Sequence, residues 1–492
     1  MGRLALAACV CVACSAKPAP SITPDAPATS PDAGIDPNDG ATSGTRLKLT
    51  WFQFSDGSRQ FDGLYDSERK EFCSPYMGDW PDGNNYCVPT DYDPVVFSDS
   101  ACTKPLADEY TGSTCATTPL QYALDTEYSA CADNWLPQHL YVKGSAVGAT
   151  TYYEKASDGT CFQYDKSDYE QLYAVTGEIA TTDLVRLVLG PATGSGAIEV
   201  RSWVSSDGAT LPETLHDPNG GYDCSPEYYG AAATTALCAP DDSGWAYLDR
   251  DSTCTDPTMS YANGCTPPAY TFDYPETSCP IDLAAYFATG SALASPKLYE
   301  SFGADCSATD ADDTQTYYAT GGALALAQLQ RTPDNDPSYR LQVIHYDATG
   351  GLVYRDQTYL YDSQEGVVCA PEALPDGTTR CVPDSDYQVT SGIYFSDSAC
   401  KTKLDVVDIF TGPAACGAPM LPVYVRKYLA NDGCTESFEL HQLAAKLTTL
   451  YYLGGTSGSA CTKYSSSEDL MYGIGSAVST SDFLTAVVTI DN

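Results

Sequence analysis

The 492-residue sequence lacks any run of roughly 20 apolar residues, so it offers no helix able to span a bilayer. Basic residues are scarce as well, with 25 Lys and Arg against 65 Asp and Glu and a net charge of −40. Such a surface repels polyanions and has no cationic stripe to neutralise phosphates, which excludes nucleic acid and charge-driven binding to anionic lipids. Histidine is scarcer still: His139, His216, His345 and His441 are the four. With so few imidazoles, a zinc centre has little to draw on. Gly-x-Ser-x-Gly, a phosphate loop and His-Glu-x-x-His are all missing. The Gly/Ser-rich stretches 194–196 and 454–458 read as turns. No carboxylate pair for glycoside hydrolysis stands out among the 65 acids. No catalytic residue, metal ligand or cofactor is assigned.

Cysteine is what the sequence has in quantity. Setting aside Cys9, Cys11 and Cys14, 18 of the 21 remain, and they fall into three sets of six. The sets are 73, 87, 102, 115, 131, 161, then 224, 238, 254, 265, 279, 306, then 369, 381, 400, 416, 434, 461. Other motifs keep the same period. Leu-(Tyr/His)-Asp ends at Asp66, Asp217 and Asp362, ahead of the first cysteine of each set. The first and second cysteines each open Cys-x-Pro, and the third closes Asp-Ser-(Ala/Thr)-Cys at Cys102, Cys254 and Cys400. The chain is therefore a triplicated module. Expected boundaries are 45–194, 195–336 and 337–492.

An even number of cysteines per module, no Cys-x-x-Cys among the eighteen and few histidines point to disulfides in an oxidising compartment. Spacing does not fix which cysteines pair, since six allow 15 connectivities. Neighbour pairing confined to each module is the expectation: Cys73–Cys87, Cys102–Cys115, Cys131–Cys161; Cys224–Cys238, Cys254–Cys265, Cys279–Cys306; Cys369–Cys381, Cys400–Cys416, Cys434–Cys461.

The N-terminus supplies the route out of the cytoplasm. Met1-Gly2-Arg3 is a short basic start, followed by the apolar run 4–13. Residues 1–13 resemble a bacterial lipoprotein signal peptide, with Cys14 the acylated residue and Cys9 the alternative. Residues 14–44, rich in Pro, Ala, Ser and Asp, read as a disordered tether holding the folded part roughly 30 Å from its anchor. The protein is thus expected in the cell envelope, lipid-anchored at an outer membrane or cell surface, with membrane contact only through the acyl group.

Alternating apolar positions separated by turns such as Ser55-Asp56-Gly57 and Ser206-Asp207-Gly208 predict an all-β fold. About eight short strands are expected per module. Eight would make two four-stranded blades, so that three modules close a six-bladed β-propeller-like ring with threefold pseudosymmetry. Three separate β domains in a row is the alternative. Helical spacing is confined to 281–289 and 440–447.

The motif series, with the Asp-Gly before the second Cys-x-Pro (Asp82-Gly83, Asp376-Gly377) and Thr23-Pro24-Asp25-Ala26 in the tether, resembles uncharacterised cysteine-rich repeat lipoproteins of myxobacteria. That resemblance implies export and repetition and supplies no catalytic residue. The sequence therefore reads as an exported surface protein acting as a binding or scaffold module for a protein or glycan partner. A secreted hydrolase of glycosidase type and a calcium-binding coat protein are the alternatives. The repeated Asp66, Asp217 and Asp362, and Asp99, Asp251 and Asp397, suit a calcium or sugar site on that last reading. The competing reading is that each accepts backbone N–H bonds in a turn.

Overall fold

Period-two alternation puts Leu47, Leu49 and Trp51 on the inner face of one strand, Leu47–Phe54, and gives that strand a buried side. The same logic repeats along the chain in a computed structural model. It describes residues 40–491 apart from 77–79, 111–119, 130, 132–133, 195, 229–233, 275–283, 295, 303–304, 349–351, 375, 386, 411–420, 430–436, 455–459 and 465–468. Strands and turns account for these residues, with one-turn 3₁₀ helices at Thr181–Asp183 and Thr480–Asp482 and no α-helix among them. The segments read as helical are strands, Ala285–Ala292 and Phe438–Lys446. Residues 281–283 lie outside the described residues.

Fifteen strands form one closed barrel, five from each third of the chain. The first third gives Leu47–Phe54, Arg59–Asp66, Glu71–Pro75, Asn85–Pro89 and Arg186–Leu189. The second gives Glu199–Ser205, Thr210–Asp217, Tyr222–Glu227, Thr235–Pro240 and Gln328–Pro333. The third gives Leu341–Ala348, Leu352–Asp362, Val367–Ala373, Thr379–Pro383 and Thr485–Ile490. Antiparallel pairing of Thr485–Ile490 with Leu47–Phe54 closes the circle. Closure leaves the barrel no open edge.

Between the fourth and fifth barrel strands of each third, the chain leaves to build a peripheral sheet, of seven, eight and seven strands in turn. The strands are therefore not divided into six four-stranded blades. Each third carries more than the expected eight, because the excursions hold hairpins whose short strands are hard to see in the sequence.

The three thirds share their cores cyclically. Leu47, Leu49, Trp51, Leu64 and the Cys73–Cys87 disulfide enclose Ala209 and Leu211 of the second third. The second core takes in Tyr346, Ala348 and Tyr354 of the third, and the third core takes in Phe52 and Phe54 of the first. A large buried side chain contributes about 1.5–3 kcal/mol, so residues lent to a neighbour tie the thirds together. Backbone caps run in the same sense. Asp207, in the Ser-Asp-Gly turn of the second third, accepts N–H bonds from Arg46 (2.6 Å) and Leu47 (2.7 Å) of the first. Asp56, in the equivalent turn of the first, accepts one from Leu341 of the third at 2.9 Å.

The tether ends sooner than expected. Ala41 is buried in the first core, and Thr42 bridges Thr210, so residues from 40 onward belong to the folded body. The signal segment 1–13, Cys9 and Cys14 lie outside the described residues.

Seven disulfides are present among the described residues. Cys73–Cys87, Cys224–Cys238 and Cys369–Cys381 join neighbours across adjacent barrel strands. The outer cysteines depart from the neighbour rule: Cys102 pairs with Cys161, Cys254 with Cys306 and Cys400 with Cys461. These replace the expected Cys102–Cys115, Cys131–Cys161, Cys254–Cys265, Cys279–Cys306, Cys400–Cys416 and Cys434–Cys461. The cause is sheet pairing. The strand before each third cysteine lies beside the hairpin that carries the sixth, through Phe97 with Tyr153, Asp249 with Tyr299, and Phe395 with Tyr451. Cys131 pairs with Cys265, so the bridges are not confined to each third. Cys115, Cys279, Cys416 and Cys434 lie outside the described residues.

Candidate functional site

The repeated aspartates serve the fold. Asp66 Oδ1 accepts the N–H groups of Glu68 and Arg69, Asp217 those of Asn219 and Gly220, and Asp362 those of Gln364 and Glu365. Arg46 donates to Asp66 at 2.6 Å and also to the carbonyl of Asp183; Arg340 does the same for Asp362 (2.7 Å) and the carbonyl of Asp482. Each arginine thereby ties a first strand to its closing segment. The second third has Ala197 at the corresponding place and lacks the pair.

Asp99, Asp251 and Asp397 hold the turn that ends in the third cysteine. Asp99 accepts from the N–H groups of Thr103 and Lys104, Asp251 from Thr253, and Asp397 from Ala399 and Thr402. These bonds hold all three carboxyls below their ordinary range, the Thr103 hydroxyl leading for Asp99, the Thr253 hydroxyl for Asp251 and the Thr402 N–H for Asp397. The cysteines that follow sit at φ of 49°, 48° and 49°, in the left-handed region that costs an L-residue about 1–2 kcal/mol. The recurring string is thus a device that bends the chain and aims a sulfur at the sixth cysteine.

Of the histidines, His216 is in the sheet and contacts Asp223 at 2.8 Å, while His345 and His441 are buried in strands. His139 faces Glu178 at 2.8 Å on the surface. They lie in different strands and form no shared centre.

The first peripheral sheet carries a concave feature of different character. Its strand order runs from the hairpin Thr151–Lys155/Cys161–Asp165 at one end to the hairpin Tyr122–Ser129/Asn134–Ala146 at the other, and a further pairing of Asp93–Phe97 with Tyr122–Ser129 curls it round. The two hairpins face each other across a groove of about 460 Å³ lined by Tyr128, Trp135, Glu154, Lys155, Phe162 and Tyr164. A salt bridge from Lys155 to Glu127, 2.7 Å, spans them.

Cross-strand pairing sets the walls. Tyr128 stands opposite Trp135, ring centroids 5.6 Å apart and edge to face. Tyr164 stands opposite Tyr152, stacked at 5.8 Å. Yet Trp135, Phe162 and Tyr164 remain 46%, 49% and 44% exposed. Large rings left half in water at one concave place are the features of a binding surface. Only the first copy has aromatic residues at both alternate positions after the sixth cysteine. Phe162 and Tyr164 correspond to Ser307 and Thr309, and to Thr462 and Tyr464.

Acids gather on the same sheet. Burial, then the charges of Glu170, Asp93 and Glu154, push the Asp108 carboxyl up to about 7, and its buried Oδ1 has no hydrogen-bond partner among the described residues. Burial also raises Glu154, opposed by the Tyr152 hydroxyl. A second cavity, about 20 Å³ between Trp51, Leu211 and Tyr354 where the thirds meet, has room for about one water.

An all-β, disulfide-bonded chain with three copies of one unit around a closed barrel is the class that fold and cysteines define. The chain belongs to a family of unknown function (DUF7481), whose model matches residues 26–483. No curated protein and no solved structure matches it. Seven disulfides mark an oxidising, extracytoplasmic setting. No helix of the described residues is long and apolar enough to cross a membrane.

Sequence reasoning missed the groove. Its one legible signal was the pair Phe162 and Tyr164, aromatic at alternate positions after the sixth cysteine of the first copy only.

Proposed function

We propose that this is an exported binding protein, anchored through an acyl group on Cys14, with Cys9 the alternative, that holds a glycan chain in the groove of its first peripheral sheet. The single observation behind the reading is the half-exposed set Trp135, Phe162 and Tyr164 around a groove of about 460 Å³. Ring faces carry negative charge density and attract the weakly positive C–H groups of a sugar face. Glu154, Lys155 and the Tyr164 hydroxyl can hydrogen-bond the sugar's hydroxyls at the rim. The net charge of −40 favours a neutral or amino sugar over an acidic one. On this reading the barrel is a scaffold, and the thirds without the aromatic pair are supports.

The test is a glycan array probed with the full exported chain, alongside Trp135→Ala/Phe162→Ala. Binding of a neutral or amino-sugar polymer that the double variant loses supports the reading. Equal binding by both proteins refutes the groove.

A secreted hydrolase is the second reading, favoured by Asp108, whose carboxyl titrates near 7 and couples to the groove residue Glu154. Release of new reducing ends from the bound polymer, abolished in Asp108→Asn, would establish it.

A further inference from the structure

We propose that Cys131–Cys265 is a redox-labile clasp that holds the groove wall carrying Tyr128 and Trp135 in place. On the reading that the groove holds a glycan, binding then depends on the oxidation state of this bond.

The two walls of the groove are secured to different bodies. The hairpin Thr151–Lys155/Cys161–Asp165 is tied by Cys102–Cys161 within the first third. The facing hairpin pairs with the rest of its sheet only as far out as Leu124, opposite Pro94, and Leu140, opposite Ile179. Beyond them, residues 125–129 and 134–139 pair with each other and with no further strand among the described residues. Six residues at about 3.3 Å each make a projection of roughly 20 Å. Tyr128 and Trp135 sit near its tip, and Cys131 lies between its strands.

At that tip the second third takes hold. Cys131 is bonded to Cys265, and the Tyr261 hydroxyl donates to the Cys131 carbonyl. The Lys155–Glu127 ion pair crosses the groove itself, but its side chains are 40% and 52% exposed, so water and salt weaken it. A two-stranded ribbon is marginally stable by itself in water. The covalent tie to the second third therefore fixes where Trp135 stands relative to Phe162 and Tyr164 across the groove.

The same bond is the accessible one. Of the fourteen cysteines in the seven described disulfides, Cys131 alone is exposed. Cys73, Cys87, Cys224, Cys238, Cys369 and Cys381 are at most 2% exposed. The bridges Cys102–Cys161, Cys254–Cys306 and Cys400–Cys461 join half-buried residues. Thiol–disulfide exchange needs a thiolate to reach a sulfur, so its rate follows access. Opening this bond leaves the bridges inside each third intact.

A dithiol protein of the cell envelope is the class of reductant required. Its thiolate attacks Cys131 Sγ, the bond to Cys265 breaks, and Cys265 leaves as a thiolate that takes up a proton. The second thiolate of the reductant then attacks the mixed disulfide, closes its own disulfide and releases Cys131, which is protonated in turn. Two electrons and two protons pass to this chain, and the dithiol is oxidised. With the clasp open the hairpin regains motion, and ligand binding has to order Tyr128 and Trp135 afresh.

The test treats the full exported chain with graded dithiothreitol under native conditions, then alkylates it and maps the labelled peptides by mass spectrometry. Oxidised, partly reduced and Cys131→Ser/Cys265→Ser proteins are compared by hydrogen exchange and on a glycan array. Cys131 and Cys265 should label first, with the other twelve described cysteines still bonded. Amides of 125–129 should exchange faster in the reduced protein and in the variant, and those of Cys161–Asp165 at the same rate. Both forms should bind the sugar polymer about 10-fold more weakly, as expected when two side chains must be ordered again, with affinity restored by reoxidation of the reduced chain. Another described disulfide opening first, unchanged exchange at 125–129, or equal affinity of oxidised and reduced protein would each overturn the proposal. Silence of every form on the array refutes the glycan reading and control of binding with it, whereas early labelling and faster exchange would still support the clasp.

Discussion

Replacing Asp207 with Ala tests whether the thirds are one cooperative body. The carboxylate sits in the second third but caps the first strand of the first, accepting from Arg46 N at 2.6 Å and Leu47 N at 2.7 Å. Hydrogen bonds to a charged group contribute about 1.5–3 kcal/mol each; the lower value suits this half-buried site, so the loss is about 3 kcal/mol. The shift in Tm depends on the size of the unit that melts. At about 2.1 cal/mol/K per residue, roughly 450 residues unfolding together have an unfolding entropy near 0.95 kcal/mol/K, giving a drop of about 3 °C. A single third melting alone would drop by about 10 °C. Calorimetry of the oxidised variant should show one transition lowered by the smaller amount. Hydrogen exchange should show faster exchange at Arg46 and Leu47, far from the mutation in sequence. A separate transition for one third, or unchanged exchange at those two amides, refutes the shared barrel as the source of stability.

Arg331 and Asp356 form a buried ion pair at 3.0 Å, so Arg331→Met should strand an uncompensated carboxylate and cost about 3–5 kcal/mol, read from the urea midpoint. Asp108 makes the stability depend on pH. Its folded pKa near 7 lies above the unfolded value, so its contribution is most favourable below about pH 4 and is lost as pH rises toward 7. Asp108→Asn should therefore gain on the parent by roughly 2 kcal/mol between pH 4 and pH 8, after allowance for solvent screening, and a pH-independent difference would contradict this. In the groove, Trp135→Ala/Phe162→Ala should weaken glycan binding about 10- to 100-fold by calorimetric titration with Tm unchanged, since both rings are half exposed.

Much of the build is legible in the residue string. Leu47, Leu49 and Trp51 announce a strand with one buried face because a strand's side-chain period is local. Asp183 and Asp482 each stand before an apolar run, and there a 3₁₀ turn leads into a barrel strand. Glycine in the Ser-Asp-Gly turns was legible too, since Gly57 and Gly208 adopt φ of 96° and 99°. Illegible were the roles of the neighbouring aspartates. Asp56 and Asp207 look like turn residues, and that they cap another third depends on a contact more than a hundred residues away.

The sequence by itself determined the threefold repetition, the cysteine framework and the strand-and-turn character, because each is written in spacing or in near neighbours. Only the tertiary structure decided that fifteen strands share one barrel, that the third cysteine meets the sixth, and that two hairpins of the first copy face each other across a groove. Strand partners and sulfur partners are chosen by proximity in space, which a one-dimensional pattern does not encode.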